Sequence, residues 1–482
     1  MMILGFKVLL ILTSVANTPI NCATCHFYLD EDLGYGCEMF DVNVTEKNQP
    51  FEISREHLPG YSDCDVNWLN VTDSGIMNFI PTAIYGTFRN IFDLVVFSGV
   101  QLNEINRESF QYGFTSTIKL DRNLIKKIPS RAFIDCLYLF YLNLSNNLID
   151  TLEDSAFYSN RFLRHLILSN NLLTTIPETA FVNLKSLTHL YLDNNRLDYL
   201  PENVFSTLRA LHVLNLDNNF LASIPLRLLK DTFIDKLYLN NNQLERLDLG
   251  GDVDIDGFWL HELYVNNNRI TTLQESLFRR ATWVTIFEAG WNNISTIHPN
   301  AFNQNSKSSK LAHIGLSHNN LTEIIPGTFH GLLDLRRVEL NSNRISTLTN
   351  DDFVSCPPCF GPDILDLSDN ELKIIRSQFF VNMPRLGTLN LSSNKISAID
   401  RHSLEILTNM TNLFLADNSC ASTNFKGITE ENITEIKESL EECFKNYDEL
   451  PPSGSFLNKS SFASLRISAL LILINKLNFM NV

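Results

Sequence analysis

Asp252-x-Asp254-x-Asp256-Gly257 has the alternating carboxylates and turn glycine with which a calcium-binding loop opens. Such a loop closes on a bidentate glutamate at its twelfth position. Leu263 stands there, so the run reads as an acidic surface turn. His165 and His189 lie 24 residues apart, and a metal between them would need further ligands that the sequence does not place. They read as surface histidines, and no metal site is expected. No nucleophile elbow, glycine-rich phosphate loop or His-Glu-x-x-His motif occurs. The chain is therefore not expected to be an enzyme, and no cofactor is expected. What remains is binding chemistry. Tyr191, Asn215, Tyr238 and Tyr264 recur at intervals of 24, 23 and 26 residues, with His165, His189 and His212 near them. Tyrosines held on a rigid surface offer large contact area at low entropy cost.

The spacing of these residues follows from an internal repeat, L-x-x-L-x-L-x-x-N-x-L. Leu187, Leu190, Leu192, Asn195, Leu197, Leu200 and Phe205 show it in full. An anchor asparagine recurs at 123, 147, 171, 195, 219, 242, 268, 292, 319, 343, 370, 394 and 418, and Val100 holds the slot one unit earlier. Fourteen units at this period predict a stacked solenoid. The L-x-L segment is a short strand whose leucines enter the core while the intervening residue faces out. The anchor amide is expected to satisfy backbone groups of neighbouring rungs. Phenylalanines ten residues on (Phe133, Phe157, Phe181, Phe205, Phe302, Phe329, Phe353 and Phe380) are expected to fill the convex side. One rung cannot bury its own apolar face, so the array needs caps.

Composition agrees with one long, folded array. Of 482 residues 44% are hydrophobic and 19% charged, which excludes disorder. The net charge of −16 lacks the basic face that sequence-independent nucleic-acid binding needs. Residues 1–22 read as a secretory signal peptide, with cleavage after Ala16 or near Cys22. Nine sequons accompany it, at Asn43, Asn70, Asn143, Asn293, Asn320, Asn390, Asn409, Asn432 and Asn458. The nine cysteines cluster toward the two ends, as an oxidising compartment allows.

Residues 23–88 break the repeat and read as an N-terminal cap, with Cys25 paired to Cys37. Cys64 has Cys22 as its candidate partner if cleavage follows Ala16, and otherwise no assigned partner. The array occupies 89–418. Residues 419–450 form a C-terminal cap in which Cys420 pairs with Cys443 and Thr429 to Cys443 reads as one helix. Cys136 stands in a leucine slot and reads as a buried free thiol, whereas Cys356 and Cys359 are assigned a local bridge. Residues 451–482 combine Ser453-Gly454-Ser455, a polar spacer and the apolar run from Ile467, the order of a lipid-anchor signal with attachment at Ser453.

These residues resemble the typical extracellular leucine-rich-repeat family, which includes Toll-type receptor ectodomains, over roughly residues 65 to 445. Cys25-x-Phe27 with Tyr35-Gly36-Cys37 and then His57-Leu-Pro-Gly60 is similar to the cap of insect members, a group with immune and adhesion proteins. The resemblance implies a horseshoe of α/β class, with a parallel sheet on the concave face, an irregular or short-helical convex side and disulfide-bearing caps. It implies recognition of a protein or glycan without catalysis. The cytoplasmic signalling domain and membrane span of Toll-type receptors are missing, as is the long heptad region of insect pair-forming members. The expected function is that of a secreted or lipid-anchored surface protein, binding a protein ligand on the concave face in adhesion or immunity. A matrix spacer without a single hot spot is the alternative.

Overall fold

The computed structural model describes residues 22–450, apart from 48, 50, 55, 73–76, 226–227, 230–231, 250–258, 276, 279–280, 282, 303–308, 349–360, 381–382 and 404–409. Residues 1–21 of the signal peptide, the Asp252–Gly257 turn, Phe353, the Cys356/Cys359 pair, the Asn409 sequon and the tail bearing Ser453 and Asn458 lie outside the described residues.

The chain stacks as a parallel-sheet solenoid. An antiparallel hairpin, Cys22–Asp30 with Gly34–Phe40, starts a 19-stranded sheet. Trp68–Val71 joins Gly34–Phe40 in parallel, and one short strand per turn follows in parallel as far as Asn412–Phe414. Asn424–Lys426 closes the sheet antiparallel. Fourteen of these strands, Leu94–Val96 to Asn412–Phe414, correspond to the fourteen sequence units. In each the middle residue is buried between two outward-facing neighbours, as His189, Leu190 and Tyr191 show. The convex side is turns, two-residue bridges and short 3-10 segments such as Arg107–Phe110.

The anchor asparagines hold the rungs together. Asn195 donates from Nδ2 to the carbonyls of Leu168 and Leu192, both at 3.0 Å. Its Oδ1 accepts the Leu173 N–H at 3.1 Å. The same pattern recurs from Asn123 to Asn418. A parallel sheet that turns away after three residues leaves these backbone groups unpaired inside the protein, and the amide pairs them. The residue before each anchor has positive φ, from Arg122 at 57° to Asp417 at 58°. Asn fills six of these thirteen positions and Asp two, the types that best tolerate the left-handed region. Trp291, at φ 55°, does not belong to that class and stacks on His318 of the next rung with centroids 3.7 Å apart.

Phe133, Phe157, Phe181 and Phe205 stack at 5.9 to 6.4 Å along the convex core. Phe110 and Phe278 fill the same slot and extend the row beyond the residues that the pattern singled out. Cys136 is fully buried in its leucine slot and is a free thiol. The next rung places Asn160 there, wholly buried, donating to the carbonyls of Phe133 and Cys136.

Disulfides join Cys25 to Cys37 and Cys420 to Cys443. Cys64 is exposed and unpaired, so the conditional pairing with Cys22 is not made. The C-terminal helix also differs from expectation. It begins at Ile433, because Thr429 N–H donates to Asn432 Oδ1 in a preceding turn. It breaks at Leu440 into Ile433–Ser439 and Glu441–Asp448, while Ile436, Leu440 and Cys443 still form the buried face. In the N-terminal hairpin Gly36 is required: a Cβ there would lie 2.2 Å from the Trp68 ring, whose Nε1 donates to Gly34 O. Among the described residues no helix is long and apolar enough to cross a membrane.

Candidate functional site

Two columns of side chains line the concave face. The third strand residues run in register from Asn143 through Ile167, Tyr191, Asn215, Tyr238 and Tyr264. They continue through Glu288, Gly315, Glu339, Asp366 and Asn390. The first strand residues form the second column, in which Tyr141, His165 and His189 are neighbours. The sheet thus brings the tyrosines and the two histidines together. His212 precedes its strand, is exposed, and bonds through Nδ1 to Ala210 O.

The aromatic half is organised by stacking. The His165 and His189 rings stack at 4.4 Å, with Tyr141 at 6.0 Å from His165 and Tyr191 at 6.3 Å from His189. Burial lowers the proton affinity of both imidazoles, helped by Arg164 beside His165 and by His165 and His212 beside His189. Tyr238 and Tyr264 are parallel within 3° at 4.9 Å. Tyr264 donates its hydroxyl to Glu262, which pairs with Lys236 at 2.9 Å. Burial and that carboxylate push the Tyr264 hydroxyl up. A shallow depression lined by Tyr141, His165, Ile167, Tyr191, Asp193 and Asn215 opens on this half.

Asn215 is differently occupied. Its Oδ1 accepts the N–H of Asp217, capping the turn that leaves the strand. Asn143, Asp366 and Asn390 do the same for the residue two positions on. The backbone conformation thus accounts for Asn215, whereas none of the tyrosines or histidines of the two columns caps its own turn in this way. Asn143 and Asn390, both in sequons, are half-buried in the tyrosine column and bracket it. Asn43 and Asn293 are exposed, whereas Asn70, Asn320 and Asn432 are half-buried.

Beyond Tyr264 the column turns acidic at Glu288, Glu339 and Asp366, and beside them stand residues that the sequence reading missed. His313 lies between Ile286 and Arg337 in the second column, with Nε2 3.1 Å from Glu288 Oε1 and 3.9 Å from Glu339 Oε1. Burial, and then the charge of Glu339, push the Glu288 carboxyl up to about 7. Aligning the first strand residue of every unit, rather than the third alone, would have found His313 and Arg337.

A leucine rich repeat family model matches residues 115–173, 161–221, 309–358 and 363–419. Tsukushi of Gallus gallus is 28% identical over 139 residues, which are 28% of this chain and 36% of that protein. The chain thus spans well under half the length of the curated relatives it matches. A chain of the LRIM1/APL1C complex superposes with a TM-score of 0.56 at 19% identity, over 95% of this chain and 79% of that one. A chain of the Drosophila Toll–Spatzle complex gives 0.57 at 20% identity, over 74% and 51%. At such identities the structural likeness speaks for the fold. The repeat pattern, the matched family model and the solenoid together make this a leucine-rich-repeat chain, similar to extracellular proteins built on that repeat.

Proposed function

We propose that the chain is a secreted or cell-surface recognition protein that binds a protein ligand on its concave face, in adhesion or innate immunity. One observation carries this reading: the row Tyr191, Tyr238 and Tyr264, with the stacked His165 and His189, lies on a stretch of sheet bounded by the sequons at Asn143 and Asn390. Glycans at those positions would cover the two ends and leave nine rungs between them. At about 4.8 Å per rung the open stretch is roughly 40 Å long, enough for a standard interface of about 800 Å² per partner. The Toll–Spatzle complex shows an array of this fold paired with another protein. A glycan ligand would use the same tyrosine faces. The tail is read as a lipid-anchor signal with attachment at Ser453, so that phosphatidylinositol-specific phospholipase should release the protein from expressing cells.

The test uses a glycan as a wedge. Ile167→Asn completes a sequon with Ser169, one rung from Tyr191. An asparagine there can cap its own turn as Asn143 and Asn215 do. Asp217→Thr would create a sequon at Asn215 but would remove the carboxylate that holds the Asn240 N–H at 2.6 Å, so it is the poorer probe. A partner captured by the wild-type ectodomain should be lost from the glycosylated Ile167→Asn protein. Tyr191→Ala and Tyr238→Ala should each weaken it by about 1 kcal/mol or more. Undiminished capture by the glycosylated variant would move the site to the convex loops or the caps. The stacking of Tyr238 on Tyr264 favours a second reading, in which the tyrosines only pack across strands and the protein is a matrix spacer. On that reading none of these substitutions changes partner binding.

A further inference from the structure

We infer that Glu288, His313 and Glu339 form a binding site for one divalent cation of the zinc class, on the concave face beyond the tyrosines. Three adjacent strands, Ile286–Glu288, His313–Gly315 and Arg337–Glu339, bring the residues together. Their ligand atoms lie within 4.8 Å of one another, the one such trio of His, Cys, Asp or Glu among the described residues. The 3.1 and 3.9 Å separations from His313 Nε2 to the two carboxylates bracket the spacing of about 3.3 Å between ligands bonded tetrahedrally at about 2.0–2.2 Å.

Two further observations point to a ligand rather than to a plain ion pair. His313 Nε2 is buried and makes no hydrogen bond, although Glu288 Oε1 is 3.1 Å away. The carboxylate thus lies off the nitrogen's bonding direction, and Nε2 is left without a hydrogen-bond partner. The second is Gly315, which stands in register between Glu288 and Glu339. A Cβ on Gly315 would come within 1.9 Å of Glu288 Oε2 and 2.6 Å of its Cδ. The Glu288 carboxylate therefore occupies the space that a side chain at 315 would take, and only glycine leaves it there. Two carboxylates held together on a partly desolvated surface repel unless a proton or a cation stands between them. One imidazole with two carboxylates suits zinc and its first-row neighbours better than calcium or magnesium, which favour oxygen alone. Three protein ligands leave at least one coordination position open on the concave side. Arg337 competes for the site, since its Nε donates to Glu339 Oε1 at 2.5 Å, but its side chain is half-exposed and can turn away.

Zinc titrated calorimetrically into the full secreted protein should bind at one equivalent, with circular dichroism confirming that each variant is folded. His313→Asn and Glu288→Gln should each weaken binding at least tenfold. Gly315→Ala should weaken it too without removing any ligand atom, which a merely adventitious histidine contact does not predict. Arg337→Gln should tighten it, and His189→Asn should leave it unchanged. The inference is overturned if the wild-type protein takes up no zinc to millimolar concentration. It is also overturned if His313→Asn and Gly315→Ala bind as the wild type does, or if His189→Asn abolishes the equivalent. None of these readouts depends on the concave-face partner.

Discussion

Replacing Asn195 tests the account of what holds the rungs in place. Its amide makes two donor bonds at 3.0 Å, to Leu168 O and Leu192 O, and accepts one from Leu173 N. Leu173 and Leu192 are wholly buried, so water does not take over these roles. Asn195→Ala removes three bonds worth about 1 kcal/mol each and leaves a buried N–H without a partner, a loss of about 3–5 kcal/mol. Asn195→Asp keeps the acceptor for Leu173 but turns a donor into a second acceptor facing two carbonyls. A carboxylate so placed has its folded pKa raised, so its stability is complete at low pH and is lost as pH rises through that value. The Asp variant should therefore equal or exceed the Ala variant in cost at about pH 7 and recover part of the loss near pH 4.5, where the protonated acid donates to one carbonyl. Urea unfolding gives the energies, and hydrogen exchange of the Leu173 amide localises them. A cost below about 1 kcal/mol for Ala, or the same cost for Asp at both pH values, would refute the assignment of the amide as the bridge between rungs.

The histidine stack predicts a pH response. Both folded-state pKa values lie below the ordinary imidazole value of 6.5, so the unfolded chain binds more protons and stability rises with pH. The pair's contribution is present above about pH 6.5 and is lost on acidification below it. Melting temperatures of wild type and His165→Asn/His189→Asn, compared between pH 7.5 and 5.5, should show a shallower dependence in the variant; equal slopes would remove the stack as the cause. Cys136, wholly buried with its thiol pushed up by desolvation, should resist thiol reagents in the native protein while Cys64 reacts. Cys136→Ser should cost about 1–3 kcal/mol by burying a hydroxyl in an apolar slot. A disulfide at Cys136 in peptide mass mapping would sink that prediction.

The repeat was legible because its causes are local. Leucine alternation, the anchor amide and the phenylalanine slot each recur at a fixed offset, so strand number and register follow from counting. Which outward side chains meet was legible wherever one column was followed, as with Tyr238 and Tyr264 or His165 and His189. The trio Glu288, His313 and Glu339 was not, because it spans both columns and depends on the gap at Gly315. The break at Leu440 was also hidden, since Ile433, Ile436, Leu440 and Cys443 keep helical spacing straight through it. Phe278 was missed because the preceding unit has 26 residues and interrupts the row, although it stands at the standard distance from Asn268.

The tyrosine column owes its freedom to a relay beneath it. Where Asn143, Asn215, Asp366 or Asn390 occupies the column, that side chain caps the N–H two residues on. Tyr238, Tyr264 and Glu288 do not serve as that cap. In their rungs the corresponding N–H groups, of Asn240, Asn266 and Gly290, are taken by the side chains of Asp217, Asn240 and Asn266 from the rung before, at 2.6, 2.8 and 2.6 Å. Each relay residue is both the capped group and the next cap, and the chain ends at Gly290, which has no side chain to pass it on. Tyr238 and Tyr264 can therefore stand in the column without leaving the turns that follow them unpaired. Asn240→Ala should test this coupling. It leaves the Asn266 N–H without its acceptor, at a cost of about 1 kcal/mol, in the turn that directly follows Tyr264. Hydrogen exchange at the Asn266 amide should quicken, and capture of the concave-face partner should fall although no tyrosine or histidine has been changed. If the Asn266 amide exchanges as slowly in the variant as in the wild type, the relay does not support the turn, and the tyrosines are placed by strand packing alone.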